Sequence, residues 1–152
     1  MKKINYFSTI LFALLIGLGA FSCKKKQTEP SPQEKILGKW KITAWTMKAS
    51  NSPTIFDLYA IMDACTKDNY LEFRTGNVAL ENEGATKCNP SDPQETTGSY
   101  TLSADGKTLT FTEGGNTTNS EVLELSNTTM KLKNVQTDSG VTYTSEISFT
   151  KI

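Results

Sequence analysis

From Ile36 to the end of the chain, apolar residues alternate with threonine, lysine and glutamate, and turn residues break the alternation at short intervals. Tyr100/Leu102, Leu109/Phe111, Leu123/Leu125, Met130/Leu132 and Tyr143/Ile147/Phe149 are the clearest cases. A period of two marks a strand with one buried face, because successive side chains point to opposite sides of a sheet. The pattern predicts eight strands, at residues 39–47, 70–75, 78–82, 98–103, 108–112, 121–126, 130–135 and 141–150. One segment departs from it. Ile55, Leu58, Tyr59 and Met62 recur at helical spacing, with Thr54 placed to cap the start and Asp57 three residues later. That spacing predicts a short helix whose apolar side faces the barrel.

The connections then suggest an architecture. Strands two and three are joined tightly at Gly76-Asn77, four and five around Asp105-Gly106, six and seven at residues 127–129. The other connections, at residues 48–69, 83–97, 113–120 and 136–140, are longer. In an up-and-down antiparallel sheet alternate connections share one end, so all the tight turns fall together. The expected fold is all-β: an eight-stranded up-and-down antiparallel barrel, closed at its base and open at its mouth, with a short helix in the first long loop.

The first 22 residues read differently. Lys2 and Lys3 precede an apolar stretch from Phe7 to Phe21, with small residues leading to Ser22-Cys23. This is the form of a cleaved export signal, too short and too glycine-bearing (Gly17, Gly19) for a spanning helix. Residues 23–35 are charged, proline-bearing and nearly free of apolar side chains, as in a flexible tether. Residues 36–152 are enough for one domain.

Charge and composition narrow the function. Of 16 basic residues Lys2 and Lys3 fall in the leader, leaving 14 against 16 acidic ones. A weakly acidic domain makes no nucleic-acid partner. The chain has no histidine, which removes an ordinary catalytic triad, an imidazole base and any histidine metal site. No enzyme activity and no cofactor are expected. Asp63, Asp68, Glu81, Glu83 and Asp92 gather near the mouth loops without the spacing of a calcium loop, so no metal is expected either. Of the 3 cysteines, Cys65 and Cys88 both belong to mouth loops. In an oxidising compartment they are expected to form a disulfide.

Ala20-Phe21-Ser22-Cys23 resembles the lipobox of bacterial lipoproteins. That resemblance implies acylation of Cys23, with the membrane as partner through the lipid. The lysines that follow point to a periplasm-facing position in the outer membrane. Leu37-Gly38-Lys39-Trp40 resembles the Gly-x-Trp signature of lipocalins, and residues 36–152 are similar to the lipocalin-like domain of many Bacteroidetes lipoproteins. Cys65 running through Asp68-Asn69 into Tyr70-Leu71-Glu72-Phe73, and Gly98-Ser99-Tyr100, carry the same likeness. The resemblance implies that Trp40, beside Gly38, plugs the base. Strand one would then point Trp40, Ile42, Ala44 and Thr46 inward and Trp45 outward, unless a bulge intervenes.

Within such a cup, Leu80, Tyr100, Phe111, Leu123 and Tyr143 are the candidate lining for a small apolar ligand. The alternative is a filled core, with a protein partner on the mouth loops. The anchor itself is directly testable: Cys23→Ser is expected to release the protein from the membrane fraction, and continued sedimentation of the variant with membranes would contradict acylation at this residue.

Overall fold

The computed structural model describes residues 29–152. The export signal, Cys23 and the first half of the expected tether lie outside the described residues. The second half is ordered. Ser31 Oγ accepts from Glu34 N at 3.3 Å, and Glu34 Oε2 accepts from Ser31 N at 2.7 Å. This capping box, with proline at the first helical position, starts α1 (Pro32–Ile36). The last residues of the stretch read as tether thus form a helical turn across the base. Gly38, at φ +116°, turns the chain from that helix into the first strand, a conformation that favours glycine.

The elements that follow are β1 (Gly38–Ala49), β2 (Ile55–Asp57), α2 (Leu58–Ile61), α3 (Ala64–Asp68), β3 (Tyr70–Arg74) and β4 (Val78–Asn82). Then come β5 (Glu95–Leu102), β6 (Thr108–Glu113), β7 (Asn116–Leu125), β8 (Thr129–Asp138) and β9 (Val141–Lys151). Strands β1, β3, β4, β5, β6, β7, β8 and β9 pair in that order, each antiparallel to the next, and β9 returns to β1 from Trp40↔Lys151 to Ala49↔Tyr143. The closed eight-stranded barrel is as the pattern predicts. Closure removes the free edges that an open sheet would expose.

Three expectations about its parts are corrected. Ile55-Phe56-Asp57 is not helical; it is a short strand added to the far half of β1, with Thr46↔Asp57 and Lys48↔Ile55 in register. Asp57 Oδ1, rather than Thr54, caps the single helical turn that follows, accepting from Ala60 N at 2.9 Å. Ile55 and Ile61 are 64% and 79% exposed, so the segment turns much of its apolar surface to solvent. A helix of so few residues has little stability of its own, and pairing with β1 wins.

The second correction concerns the mouth. Gly114-Gly115 and Ser139-Gly140 make tight hairpins where longer loops are expected, because β7 starts at Asn116 and β8 runs on to Asp138. Long connections remain only at residues 50–69 and 83–94. The wall from β6 to β9 is tall, and the opposite wall carries the loops. Those two loops are joined by the Cys65–Cys88 disulfide, with Cα atoms 5.3 Å apart. Asp68 Oδ2 reinforces the link by accepting from Ala85 N at 2.6 Å and Thr86 N at 2.9 Å. A bridge closing a loop of this length contributes about 3 kcal/mol in the chain-entropy model.

The third correction is a change of face. The register of β1 with β9 shifts between Ile42 and Ala44, so Thr43 is a bulge. Beyond an inserted residue the alternation flips. Trp40 and Ile42 point inward as expected, but Trp45, Met47 and Ala49 follow them, and Ala44 and Thr46 turn out.

The core occupies the closed half. Ile36, Trp40, Phe73, Ala79, Tyr100, Leu109, Met130, Leu132 and Phe149 form one buried cluster. Trp40 has no solvent contact. Its Nε1 donates to the Ile36 carbonyl at 2.6 Å, and Lys151 Nζ lies 4.8 Å from its ring centre while donating to the Lys35 carbonyl at 2.8 Å. Trp40→Ala should destabilise the fold by about 3–5 kcal/mol, the usual loss for a buried tryptophan. Trp45→Ala should lose clearly less, since Trp45 borders open space. Urea melts of the two variants check this, and equal losses would contradict a core confined to the base.

Candidate ligand site at the barrel mouth

Above the core the inward residues change character. Trp45 and Met47 of β1, Thr118 of β7, Asn134 and Gln136 of β8, and Tyr143, Ser145 and Ile147 of β9 enclose a hollow of about 180 Å³. Cross-strand register assembles them: Ser145 faces Asn134 on one side and Met47 on the other, and Gln136 faces Tyr143. The bulge at Thr43 brings Trp45 into this wall, where its Nε1 donates to Ser145 Oγ at 2.6 Å. Asn134 Oδ1 is buried with no hydrogen-bond partner. An unpaired buried acceptor costs about 1–3 kcal/mol, and this one is closed off from the hollow itself.

The opposite wall supplies charge. Leu71, Glu81 and Thr96 share a row across β3, β4 and β5, on the face that carries Phe73 and Ala79 further down. Glu81 therefore points to the lumen. Solvent reaches it through the mouth, yet burial by the surrounding walls, and after it the carboxylates of Glu113 and Glu83, push its carboxyl above the ordinary glutamate value.

Larger hollows lie elsewhere on the barrel. A cleft of about 400 Å³ borders Lys41, Tyr59, Cys65, Lys67, Asp68 and Thr86. Its charged groups already engage one another or their neighbours: Lys41 pairs with Asp68 at 3.7 Å, and Lys67 Nζ sits 5.0 Å from the Tyr59 ring centre. A groove of about 310 Å³ runs between α1 and the β3–β4 turn at the base. A hollow of about 230 Å³ beside β2 is bordered by Thr46, Lys48, Ile55, Thr144 and Glu146. The lumen hollow is smaller than these, and it alone is walled by inward residues of β1, β7, β8 and β9.

The sequence model of the lipocalin-like domain matches residues 36–132, well over half of the chain. The chain belongs to the lipocalin-like domain family. No curated protein sequence matches it. The matched span runs from the end of α1 into β8, so it includes Gly38, Trp40 and both cysteines. The lipocalin-like barrel is generally a binding rather than an enzymatic fold. Among the described residues no group of three or more cysteine, aspartate or glutamate side chains is placed to hold a metal ion.

The lipocalin-like barrel distributes the five candidate lining residues over different places. Tyr143 lines the hollow. Phe111 points inward one row from it, facing Thr118, and its ring lies over Gly98, where an added Cβ would fall 3.3 Å from the ring and 2.6 Å from the Thr112 carbonyl. Tyr100 is in the closed half: it packs edge-on against Phe73 with ring centres 4.8 Å apart and donates to the Arg74 carbonyl at 3.2 Å. Leu80 lies on the outer face, level with Glu72 and Thr97, because Ala79 and Glu81 take the inward positions of β4. Leu123 is a second bulge, between Val122 and Glu124, and is 42% exposed. Sequence reading missed Trp45, Met47, Asn134, Gln136 and Ser145. The signal for the last three was present: Asn134 and Gln136 continue the period of two set by Met130 and Leu132, and Ser145 stands between Tyr143 and Ile147 in the same alternation.

Asn134→Leu should raise stability by about 1 kcal/mol, because it removes an unpaired buried acceptor at similar volume. Thermal melts check the sign. A loss of stability would mean that Asn134 Oδ1 is satisfied in solution by an ordered partner.

Proposed function

We propose that this lipocalin-like protein is anchored to a membrane through acylated Cys23 and binds one small, compact, amphipathic molecule in the mouth of its barrel. The observation that carries the reading is the hollow in the open half of the lumen, walled by Trp45, Met47, Tyr143 and Ile147 together with the polar side chains of Thr118, Asn134, Gln136 and Ser145. A hollow of about 180 Å³ is below the roughly 300 Å³ of a drug-sized site, so the ligand is small. Its lining mixes apolar walls with amide and hydroxyl groups. The small apolar ligand expected from the strand pattern keeps its apolar walls here and gains amide and hydroxyl groups beside them.

The anchor rests on the lipobox-like Ala20-Phe21-Ser22-Cys23 and the leader before it. With α1 across the base, the tether leaves from the closed end, and the mouth points away from the bilayer in the periplasm. One observation favours a second reading, a protein partner at the mouth. Ile55, Phe56 and Ile61 are 64%, 47% and 79% exposed beside the far half of β1.

Ligand-observed NMR screening of small fragments against the soluble Cys23→Ser protein distinguishes the two. Fragments should bind, shift the Trp45 indole signal and lose binding at least tenfold in Tyr143→Ala. Absence of hits, with perturbations confined to Ile55 and Phe56 on addition of envelope proteins, would replace the ligand reading by the partner one.

A further inference from the structure

The hollow in the open half of the lumen has a gap in its wall. β7 and β8 pair from Leu125↔Met130 to Glu121↔Lys133 and no further toward the mouth. Beyond that level β7 runs on to Asn116 against β6, and β8 runs on to Asp138 against β9. Their facing edges therefore carry backbone N–H and C=O groups without a strand partner, and such groups call for hydrogen bonds. Thr118 stands on one lip of this slot and Gln136 on the other, and both line the hollow.

Two aromatic side chains border the hollow at different heights. Trp45 is level with Ile147, deeper in the lumen, and Tyr143 is level with Ala49, nearer the rim. Ser145 stands between them, and its Oγ accepts from Trp45 Nε1 at 2.6 Å, which leaves the indole to act through its ring. The Ser145 hydroxyl keeps its own proton to donate. Among the described residues, no hydrogen bond engages the side chains of Thr118, Gln136 or Tyr143, and none of the residues lining the hollow is charged. Glu81 points to the lumen from the opposite wall but does not line this hollow.

Such a lining suits an uncharged ring with apolar C–H groups and a rim of hydroxyls. A purely apolar ligand would cover amide, hydroxyl and strand-edge groups without pairing them, at about 1–3 kcal/mol for each group left unsatisfied. A charged ligand would meet no counter-ion among the lining side chains. C–H groups carry slight positive charge and pack on the negative face of an aromatic ring. Hydroxyls donate and accept, as do Thr118, Gln136 and Ser145. About 180 Å³, open on one side, holds one such ring rather than several.

We infer that the ligand is an uncharged sugar, one ring of which sits in the hollow with its C–H groups against Trp45 and Tyr143 and its hydroxyls on Thr118, Gln136, Ser145 and the open edges of β7 and β8. The inference rests on the small-ligand reading given above and adds the ligand's chemical class. The ring is either a free monosaccharide or the end of a longer glycan, whose next units would leave through the slot.

The test offers the soluble Cys23→Ser protein the methyl glycosides of glucose, galactose, mannose and N-acetylglucosamine. Cyclohexanol, glucosamine and glucuronate serve as apolar, cationic and anionic controls of similar size. Saturation-transfer NMR titrations read binding, and the Trp45 indole signal locates it. At least one methyl glycoside should bind about fivefold more tightly than every control, with the strongest transfer at its ring C–H protons. Gln136→Leu and Tyr143→Ala should each weaken it about tenfold while the far-ultraviolet circular dichroism stays that of the parent. Tighter binding of the matching trisaccharide would assign the site to a glycan end, and equal binding to a free sugar. A control that binds as well as the best glycoside, or affinity unchanged in both variants, would overturn the sugar assignment. Fragment hits in the wider screen without any glycoside binding would overturn it too and leave the small-ligand reading standing. No glycoside binding together with no fragment hits would overturn both.

Discussion

The barrel depends on the hydrogen bond from the Trp40 indole to the Ile36 carbonyl. It fastens α1 across the end of the sheet and gives the largest buried side chain a partner for its only polar atom. Lys151 stacks its ammonium over the same ring and caps the Lys35 carbonyl, so the last strand is tied to the first helical turn. Phe73, Tyr100, Met130 and Phe149 pack around this plug. With the base sealed, hydrophobic burial is concentrated in one half of the molecule. The other half is released from that duty and holds glutamates, amides and hydroxyls facing inward.

That division explains how a chain of this size has both a core and a hollow. An eight-stranded barrel is just wide enough for its side chains to fill it. Filling is complete where the inward residues are large and apolar. It fails where they become Thr118, Asn134, Ser145 and Thr96, and where Gly98 gives its place to the Phe111 ring. The bulge at Thr43 then matters more than its single residue suggests. It moves Trp45 from the outer surface to the lumen, and so decides which aromatic ring borders the hollow.

Much of the fold was legible in the sequence because it rests on period-two alternation and turn residues. The barrel strands were found, along with the closed base, the role of Trp40 and the pairing of Cys65 with Cys88. The candidate site was legible only in part. A bulge reverses the facing of every later residue on its strand without altering composition, which is why Trp45 turned inward; Leu123 lost its expected inward place because it is itself the inserted residue. Threonine-rich strand ends such as 116–120 look like loop, because both faces there are polar. Ile55 and Leu58 share helical spacing by coincidence, and pairing with β1 overrides it. The capping box at Ser31-Pro32-Gln33-Glu34 was readable as a helix start, but the charged residues around it masked the signal.

The central claim is that β1 changes face at Thr43, leaving a sealed apolar base and an open polar mouth with Trp45 on its wall. Nuclear Overhauser contacts of the Trp45 indole test it most directly. With Trp45 in the lumen, its indole protons should contact the side chains of Ser145 and Asn134 across the inner face of β9, and not the outward side chains of Thr144 and Glu146. Contacts to Thr144 and Glu146, with none to Ser145 or Asn134, would place Trp45 outside the barrel and contradict the site.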